Sequence, residues 1–240
     1  MRRFLILLCW PLLLGAASRS FDGANDEITM GAVINTTTGN QTVCVWWKGT
    51  EDASADFILG KKANITAATA GYAIWQSSTD VDTYNVGDGT ESVTSAGTDQ
   101  DAAWVWICGT WNSTSEVTIM YENGVQVDTD TTANMDSLSN ASELQIGEDN
   151  SDGNDATGLI TLAFINGNVV MPVLEIYEMM WKPESVPFSL AGDSYSLLLP
   201  LWGDSTENDL SAANRDGTIV AGTTTSTDGP PVMFGNGLPL

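Results

Sequence analysis

The chain has 240 residues and a formal net charge of −23 at pH 7, because it carries 31 acidic and only 8 basic side chains. A surface of this charge repels phosphate backbones and anionic lipid, so no nucleic-acid partner is expected, whereas cations, neutral sugars and basic protein surfaces remain open. The sequence contains no histidine, which excludes serine–histidine and cysteine–histidine catalysis and zinc sites built on histidine.

The first 17 residues have the layout of a secretory signal peptide. Arg2 and Arg3 form a basic start, an apolar stretch follows from Phe4 to Leu14, and Gly15-Ala-Ala17 supplies the small residues of a cleavage site. The apolar stretch is short for a membrane span, and no later segment is long and apolar enough. We therefore expect a secreted chain or, as the alternative, an apolar N-terminal arm that is retained and used in assembly.

The remaining sequence predicts one large β domain over residues 18–221. Short runs rich in β-branched and aromatic residues recur with turn residues between them, a pattern typical of all-β domains. Two of these runs, Gln41–Trp47 and Ala103–Asn112, each carry one cysteine near the middle. These are the only cysteines outside the N-terminal segment, and an exported chain would fold where a disulfide can persist.

The clearest local prediction is a hairpin over Val117–Val127. Apolar residues alternate on both sides of Asn123-Gly124, the dipeptide that favours a type I′ turn. A second hairpin is predicted around Asn166-Gly167, between Leu159–Ile165 and Val169–Val173. The apolar run Leu174–Trp181 predicts a further long strand.

The last fifty residues change character. Tyr195–Leu201 is apolar, and Asp209–Thr218 is a turn-rich motif. Residues 222–240 are rich in Thr, Gly and Pro, which predicts an extended tail.

Taken in order, these segments resemble the laminin-G-like and pentraxin-like branch of the concanavalin A-like jelly roll. The resemblance covers about residues 19–188 and implies an antiparallel two-sheet jelly-roll sandwich. Six motifs in the family's order carry it: Ser20–Asp26, Thr42–Trp46, Trp106–Asn112, Met120–Gly124, Leu144–Gly147 and Val173–Trp181.

The segment 189–221 resembles an element that bacterial and phage jelly rolls of this superfamily carry ahead of their first strand. Here it follows the last motif, as though the chain were circularly permuted. Because the ends of a jelly roll can lie close together, we expect this segment to pack back on the same domain.

The pentraxin resemblance implies a disulfide between Cys44 and Cys108, which stand where pentraxins bridge the same two strands. Two buried free thiols are the alternative. Alternation along a strand places Cys44 and Trp46 on one face, and likewise Trp104, Trp106 and Cys108. We expect this face to lie between the sheets, which would make these tryptophans core residues.

Five aromatic residues remain as candidates for ligand binding, because a sugar ring stacks on such side chains. Trp47 and Trp111 lie on the strand face opposite the cysteines. Cover by the C-terminal segment is the alternative for them. The other three candidates are Trp75, Tyr72 and Tyr84.

The loop Glu148–Asp155 is dense in the oxygen ligands that suit calcium. Pentraxins bind calcium through the corresponding loop, and the candidate ligands here are Asp149, Asn150, Asp152 and Asp155. A second candidate calcium site, seen in related jelly rolls, involves Asp22 and Asn25. A solvated acidic turn is the alternative for the loop.

Glu175-Ile-Tyr-Glu178 is the closest match to the paired carboxylates of the superfamily's glucanases. On a strand, residues three apart point to opposite sides, so catalysis is not expected. We expect a secreted or surface-exposed, non-enzymatic module that binds carbohydrate or a surface protein, with calcium assisting. The alternative is a structural or decoration protein of a phage virion or extracellular filament, which would self-assemble.

Overall fold

The computed structural model describes residues 18–36, 39–50, 54–65, 68–99, 102–151, 153–181, 196–201, 206–211 and 213–230. The predicted signal peptide lies outside these residues. Within them the chain forms sixteen β-strands and one α-helix, arranged as two antiparallel sheets. The all-β jelly-roll prediction is confirmed. Across the same residues, no helix has the length and apolarity that crossing a membrane requires.

Sheet A is built around the cysteine-bearing strands. Its order is β10 (Val125–Thr131), β9 (Val117–Glu122), β8 (Val105–Asn112), β3 (Gln41–Gly49), β12 (Thr157–Asn166), β1 (Ser18–Asp22) and β16 (Thr224–Ser226). Strand β13 (Ser196–Leu199) also pairs with β12.

Sheet B stacks against sheet A. Its order is β14 (Thr206–Glu207), β15 (Gly217–Ile219), β2 (Ile28–Thr29), β11 (Gln145–Ile146), β4 (Asp56–Lys61), β5 (Gly71–Gln76), β6 (Val81–Gly87) and β7 (Ser92–Asp99).

The first predicted hairpin is confirmed and the second is not. Strands β9 and β10 meet at Asn123 and Gly124, whose φ angles of 51° and 77° are the positive values of a type I′ turn. No strand follows Asn166 directly. Strand β12 pairs with β3 on one side and with β1 and β13 on the other, so it has no free edge for residues 169–173.

The prediction of a strand over Leu174–Trp181 is wrong, because Val173–Trp181 is the helix α1. The carbonyl of Pro172 accepts hydrogen bonds from the amides of Glu175 at 3.0 Å and Ile176 at 3.1 Å, which starts the helix. The buried residues Ile176, Met179 and Met180 follow helical spacing. Exposed apolar residues on the other side made the run resemble a buried strand.

The main core fills the space between the sheets. It includes Val45 and Ile107 from sheet A and Ile74 and Val86 from sheet B, all fully buried. The sheets approach so closely at Gly109 that a Cβ there would lie 2.1 Å from Cγ of Tyr84. Glycine is therefore required at this point of β8.

A second apolar cluster lies on the outer face of sheet A, beneath α1. Cys44 and Cys108 are directly opposite each other in the β3–β8 register and form a disulfide with an S–S distance of 2.05 Å. The cluster combines this disulfide, Trp46 and Trp106 with Ile176, Met179 and Met180 of the helix.

The prediction that the cysteine face lies between the sheets is therefore wrong. Alternation grouped Cys44 with Trp46 and Cys108 with Trp106 correctly, but it places them on the outer face. Both faces of sheet A are covered, one by sheet B and one by α1. Alternation alone therefore does not say which face is the inner one.

The C-terminal segment packs back on the same domain, as predicted. Strand β13 pairs with β12, β15 pairs with β2, and β16 pairs with β1. Strand β16 lies within the stretch predicted as an extended tail. The folded domain therefore continues past residue 221.

The carboxylate of Asp209 organises the turn-rich C-terminal motif. Its Oδ1 accepts hydrogen bonds from the amides of Leu198 at 3.0 Å and Ser211 at 2.8 Å. Its Oδ2 accepts from the amide of Arg215 at 2.8 Å and from the hydroxyl of Ser211 at 2.6 Å. Four donors thus fix one buried side chain beside β13.

A buried ion pair joins this segment to the first strand. Nε of Arg19 on β1 lies 2.6 Å from Oε1 of Glu207 on β14, and each side chain is 4% exposed. Because β1 belongs to sheet A and β14 to sheet B, the pair links the two sheets.

Candidate functional site

The two outer faces of the sandwich differ in what covers them. Helix α1 packs on the outer face of sheet A, whereas the described residues place no helix on the outer face of sheet B. We call the part of sheet B formed by β4 to β7 the β4–β7 face. Its outward side chains, grouped by the strand register, are Phe57, Ala73, Trp75, Thr83, Asn85, Thr94 and Ala96.

Trp75 is the partly exposed aromatic residue of the β4–β7 face. Its ring packs on a small apolar cluster of Phe57, Ile65 and Ala73. Its Nε1 is buried and has no hydrogen-bond partner in the described part of the chain. A desolvated indole N–H normally finds an acceptor. Because this nitrogen is shielded from solvent, a ligand can contact only the exposed part of the ring.

A polar pair lies next to this cluster. Lys62, directly after β4, and Asn85, on β6, are 0% and 3% exposed. Nζ of Lys62 donates to Oδ1 of Asn85. Nδ2 of Asn85 donates to the carbonyl of Val93 at 3.1 Å and to Oγ1 of Thr94 at 2.7 Å. Burial lowers the pKa of Lys62 to about 8.

On the β6 side of Trp75 the neighbouring side chains are small. In the strand register Trp75 is followed across the sheet by Thr83 and then by Ala96, and both Thr94 and Ala96 are exposed. The indole therefore borders a shallow surface formed by these small side chains, which we call the shelf. Such a shelf can seat a pyranose ring against the indole while hydroxyls hydrogen-bond at its rim.

Of the predicted ligand-binding aromatics, only Trp75 is on an outer face. Trp47, Trp111, Tyr72 and Tyr84 are at most 2% exposed and belong to the core between the sheets. The prediction that they face a ligand is wrong, because their strand face is the inner one. Burial raises the pKa of both tyrosines, consistent with phenols held in an apolar core.

Lys62, Asn85 and Thr94 were missed by the sequence reasoning. One signal was present: Thr83 and Asn85 alternate with the apolar Tyr84 and Val86, the pattern of a strand with one polar face. Lys62 and Asn85 meet because β4, β5 and β6 are neighbours in the sheet, and no local sequence pattern predicts this strand order.

In the described part of the predicted calcium loop, the candidate oxygen ligands accept hydrogen bonds from protein donors. Asp149 is fully buried, its Oδ1 accepts from Ser151, and its Oδ2 accepts from Asn154 at 2.6 Å. Oδ1 of Asn150 accepts from the amide of Glu143 at 2.6 Å. These oxygens are used to hold the loop together, and Asp152 lies outside the described residues.

The second predicted site is joined to the first loop by a hydrogen bond. Oδ1 of Asp155 accepts from the amide of Asn25 at 3.0 Å, and Oδ1 of Asp22 accepts from the amide of Ala24 at 3.1 Å. In the described ranges, no group of three or more Asp, Glu or Cys residues converges as metal ligands would. The calcium prediction thus receives no support from these contacts.

Glu175 and Glu178 lie on helix α1, on the side of the sandwich opposite the β4–β7 face. The argument from strand geometry does not apply to them. Glu178 is exposed on the helix, and none of the outward side chains grouped above for the β4–β7 face is a carboxylate.

Comparisons with known proteins agree with this fold. The family model of the concanavalin A-like lectin/glucanases superfamily matches residues 22–165. No curated protein matches the chain in sequence.

Three solved structures illustrate the likeness. A candidate carbohydrate-binding protein of Bacteroides ovatus aligns with a TM-score of 0.67 and 13% identity over 91% of this chain, which spans 62% of that protein. The native heptameric SAP-like pentraxin of Limulus polyphemus aligns with a TM-score of 0.53 and 13% identity, covering 69% of this chain and 82% of the pentraxin. The IT-sialidase CBM40 of Ruminococcus gnavus, bound to alpha2,3 sialyllactose, aligns with a TM-score of 0.50 and 9% identity, covering 69% and 99%. At these identities the likeness shows the fold alone.

Proposed function

Because this chain belongs to the concanavalin A-like lectin/glucanases superfamily, we propose that it is a non-enzymatic carbohydrate-binding module that works outside the cell. The ligand site is the β4–β7 face, with Trp75 as the stacking residue. The observation that carries this proposal is the partly exposed indole of Trp75, which lies across the strand register from the exposed residue Ala96 and near the exposed Thr94.

The charge of the chain favours a neutral ligand. With a net charge of −23, the protein repels a sialylated or uronic-acid glycan at long range. Stacking on Trp75 and hydrogen bonds between sugar hydroxyls and the hydroxyl of Thr94 need no charge on the sugar. We therefore propose uncharged hexose-containing glycans as the ligand class.

A glycan array with the purified full chain tests the proposal. We expect binding to neutral glycans that weakens little with added salt, and none to sialyllactose. The hit is then titrated against Trp75→Ala and against Trp181→Ala, a matched loss of one exposed indole on the opposite side of the molecule.

The variant Trp75→Ala should weaken binding at least tenfold, since one stacking contact is worth about 1.4 kcal/mol or more. Trp181→Ala should bind as the parent chain does. The proposed site would be refuted if no glycan on the array bound the protein, or if the parent chain and Trp75→Ala bound with equal affinity.

The absence of catalysis and the extracellular location are parts of the same proposal. The proposed site contains no carboxylate pair, so incubated glycans should be recovered uncleaved. N-terminal sequencing of the secreted protein should show a new end near Ser18. Release of sugar, or recovery of the chain only inside cells, would contradict these two points.

A structural role in a virion or filament is the second candidate function, and one observation favours it. Val125 and four residues of helix α1, namely Val173, Leu174, Tyr177 and Trp181, are 38–72% exposed, and Tyr177 contacts the turn next to Val125. A second copy of the chain is the occupant we propose for this apolar patch. Light scattering at several concentrations should then show association that Leu174→Glu abolishes, while a monomer at all concentrations would count against it.

A further inference from the structure

A buried lysine and a buried asparagine meet side chain to side chain under the β4–β7 face. Nζ of Lys62 donates to Oδ1 of Asn85, and the two residues are 0% and 3% exposed. Lys62 follows β4 and Asn85 belongs to β6, so the contact passes over β5. The proposed glycan site does not need such a contact.

The carboxamide of Asn85 is held in one orientation. Its Nδ2 donates to the carbonyl of Val93 at 3.1 Å and to the hydroxyl of Thr94 at 2.7 Å. Both partners lie on β7, on the side away from Lys62. The carbonyl end of the amide is therefore turned to the amine, and the nitrogen end is turned to the exposed Thr94.

The surroundings favour an uncharged amine. Ala73, the register partner of Asn85, belongs to the apolar cluster with Phe57 and Ile65. Burial lowers the pKa of Lys62 to about 8, so a substantial part of the amine is neutral at mildly alkaline pH. A desolvated, neutral lysine amine is a nucleophile.

We propose that Lys62 and Asn85 become joined by an isopeptide bond between Nζ and Cγ. The lone pair of Nζ attacks Cγ, the C–Nδ2 bond breaks, and the nitrogen leaves as ammonia with a proton that Nζ gives up. The proton passes directly from Nζ to Nδ2, because both nitrogens are bonded to Cγ in the tetrahedral adduct. Thr94, whose hydroxyl accepts from Nδ2, is exposed, so ammonia departs to solvent on that side. No oxidant, reductant or cofactor is consumed.

The product would link β4 covalently to β6 beneath the shelf that carries Trp75. The crosslink goes beyond the proposed function, because its formation depends on neither a glycan nor an assembly partner. It would fix two strands of the binding face, complementing the disulfide that fixes two strands of sheet A.

Intact-mass spectrometry of the purified, reduced full chain is the test. The parent should be lighter than its sequence by one ammonia, about 17 Da. Tryptic digestion should fail after Lys62 and give a branched peptide that contains Lys62 and Asn85. The variant Lys61→Arg should keep the loss, because Nζ of Lys61 donates to the backbone carbonyl of Ser142.

The variant Lys62→Met should show the full mass. A succinimide at Asn123-Gly124 would also cost one ammonia, but it would persist in Lys62→Met, and that result would overturn the proposal. A parent chain of full mass, cleaved by trypsin after Lys62, would overturn it as well. If Lys62→Met fails to fold, the branched peptide of the parent decides alone.

Discussion

The two ion pairs of the described chain allow a matched test of how burial changes the contribution of an ion pair to stability. In Arg19–Glu207 and in Lys48–Asp228 the nitrogen and oxygen are both 2.6 Å apart. The first pair has side chains that are 4% exposed, whereas those of the second are 28% and 44% exposed. We replace the acid of each pair by its amide, in Glu207→Gln and Asp228→Asn.

The two replacements should differ severalfold in cost. Glu207→Gln removes the carboxylate that lies 2.6 Å from the buried guanidinium of Arg19, and breaking a buried ion pair by changing one partner typically costs about 3–5 kcal/mol. Asp228→Asn removes a partly exposed partner, which is worth roughly 0–1 kcal/mol after solvent screening. For a domain of this size the first change should lower Tm by about 6–20 °C and the second by less than about 4 °C.

Urea and thermal unfolding, followed by tryptophan fluorescence at pH 7, measure both costs. The double variant Arg19→Met with Glu207→Met should recover much of the loss, because an apolar pair carries no desolvation penalty. Equal costs for Glu207→Gln and Asp228→Asn would refute the reasoning. So would a double variant no more stable than Glu207→Gln.

Three further outcomes follow from the core, the disulfide and a loop carboxylate. Gly109→Ala should destabilise the fold by about 1–3 kcal/mol or more in urea unfolding, since the new methyl meets the ring of Tyr84 at 2.1 Å. The double variant Cys44→Ala with Cys108→Ala should lose about 4 kcal/mol in the same assay, the chain-entropy value for a bridge between residues 64 positions apart. Although burial raises the pKa of Asp88, three backbone amides that donate to it outweigh this and hold the pKa below its ordinary value. Its contribution to stability is complete above the unfolded-state pKa, about 4, and is lost as pH falls through the lower folded-state value, so Asp88→Asn should flatten the acid limb of a plot of Tm against pH.

Local patterns predicted the strands and the hairpin, because period-two alternation and turn residues act over short distances. The Asn123-Gly124 turn needs no tertiary information, since its residues adopt positive φ at low cost. The Cys44–Cys108 pair came from a resemblance to pentraxins, and the register of β3 with β8 agrees with it.

Two features depended on tertiary packing that no sequence pattern reveals. They are which face of sheet A is the inner one and the helical conformation of Val173–Trp181. Trp47 and Trp46 are neighbours on one strand and both are buried, one against sheet B and one under α1. Nothing in their immediate sequence separates the two environments. Val173–Trp181 was misassigned for a related reason, because exposed apolar residues masked its helical spacing.

The candidate site was only partly predictable. Trp75 was among the predicted aromatics, and four others were predicted with it that are core residues. What distinguishes Trp75 is its place on the outer face of β5, where no helix of the described residues packs, and that depends on α1 packing on the other sheet. The pairing of Lys62 with Asn85 likewise needed the order of three strands.

The position of β1 between β12 and β16 has a consequence for how the chain folds. The hydroxyl of Ser18 donates to the carbonyl of Asp228, 210 positions away, and the Arg19–Glu207 pair spans 188. Sheet A cannot be completed before β16, nor sheet B before β15, has left the ribosome or the translocation channel. Contacts this distant make folding slow and late. Until then the edges of β1 and β12 are open to other chains, so crowding and secretion rate, more than final stability, should limit the yield of native protein.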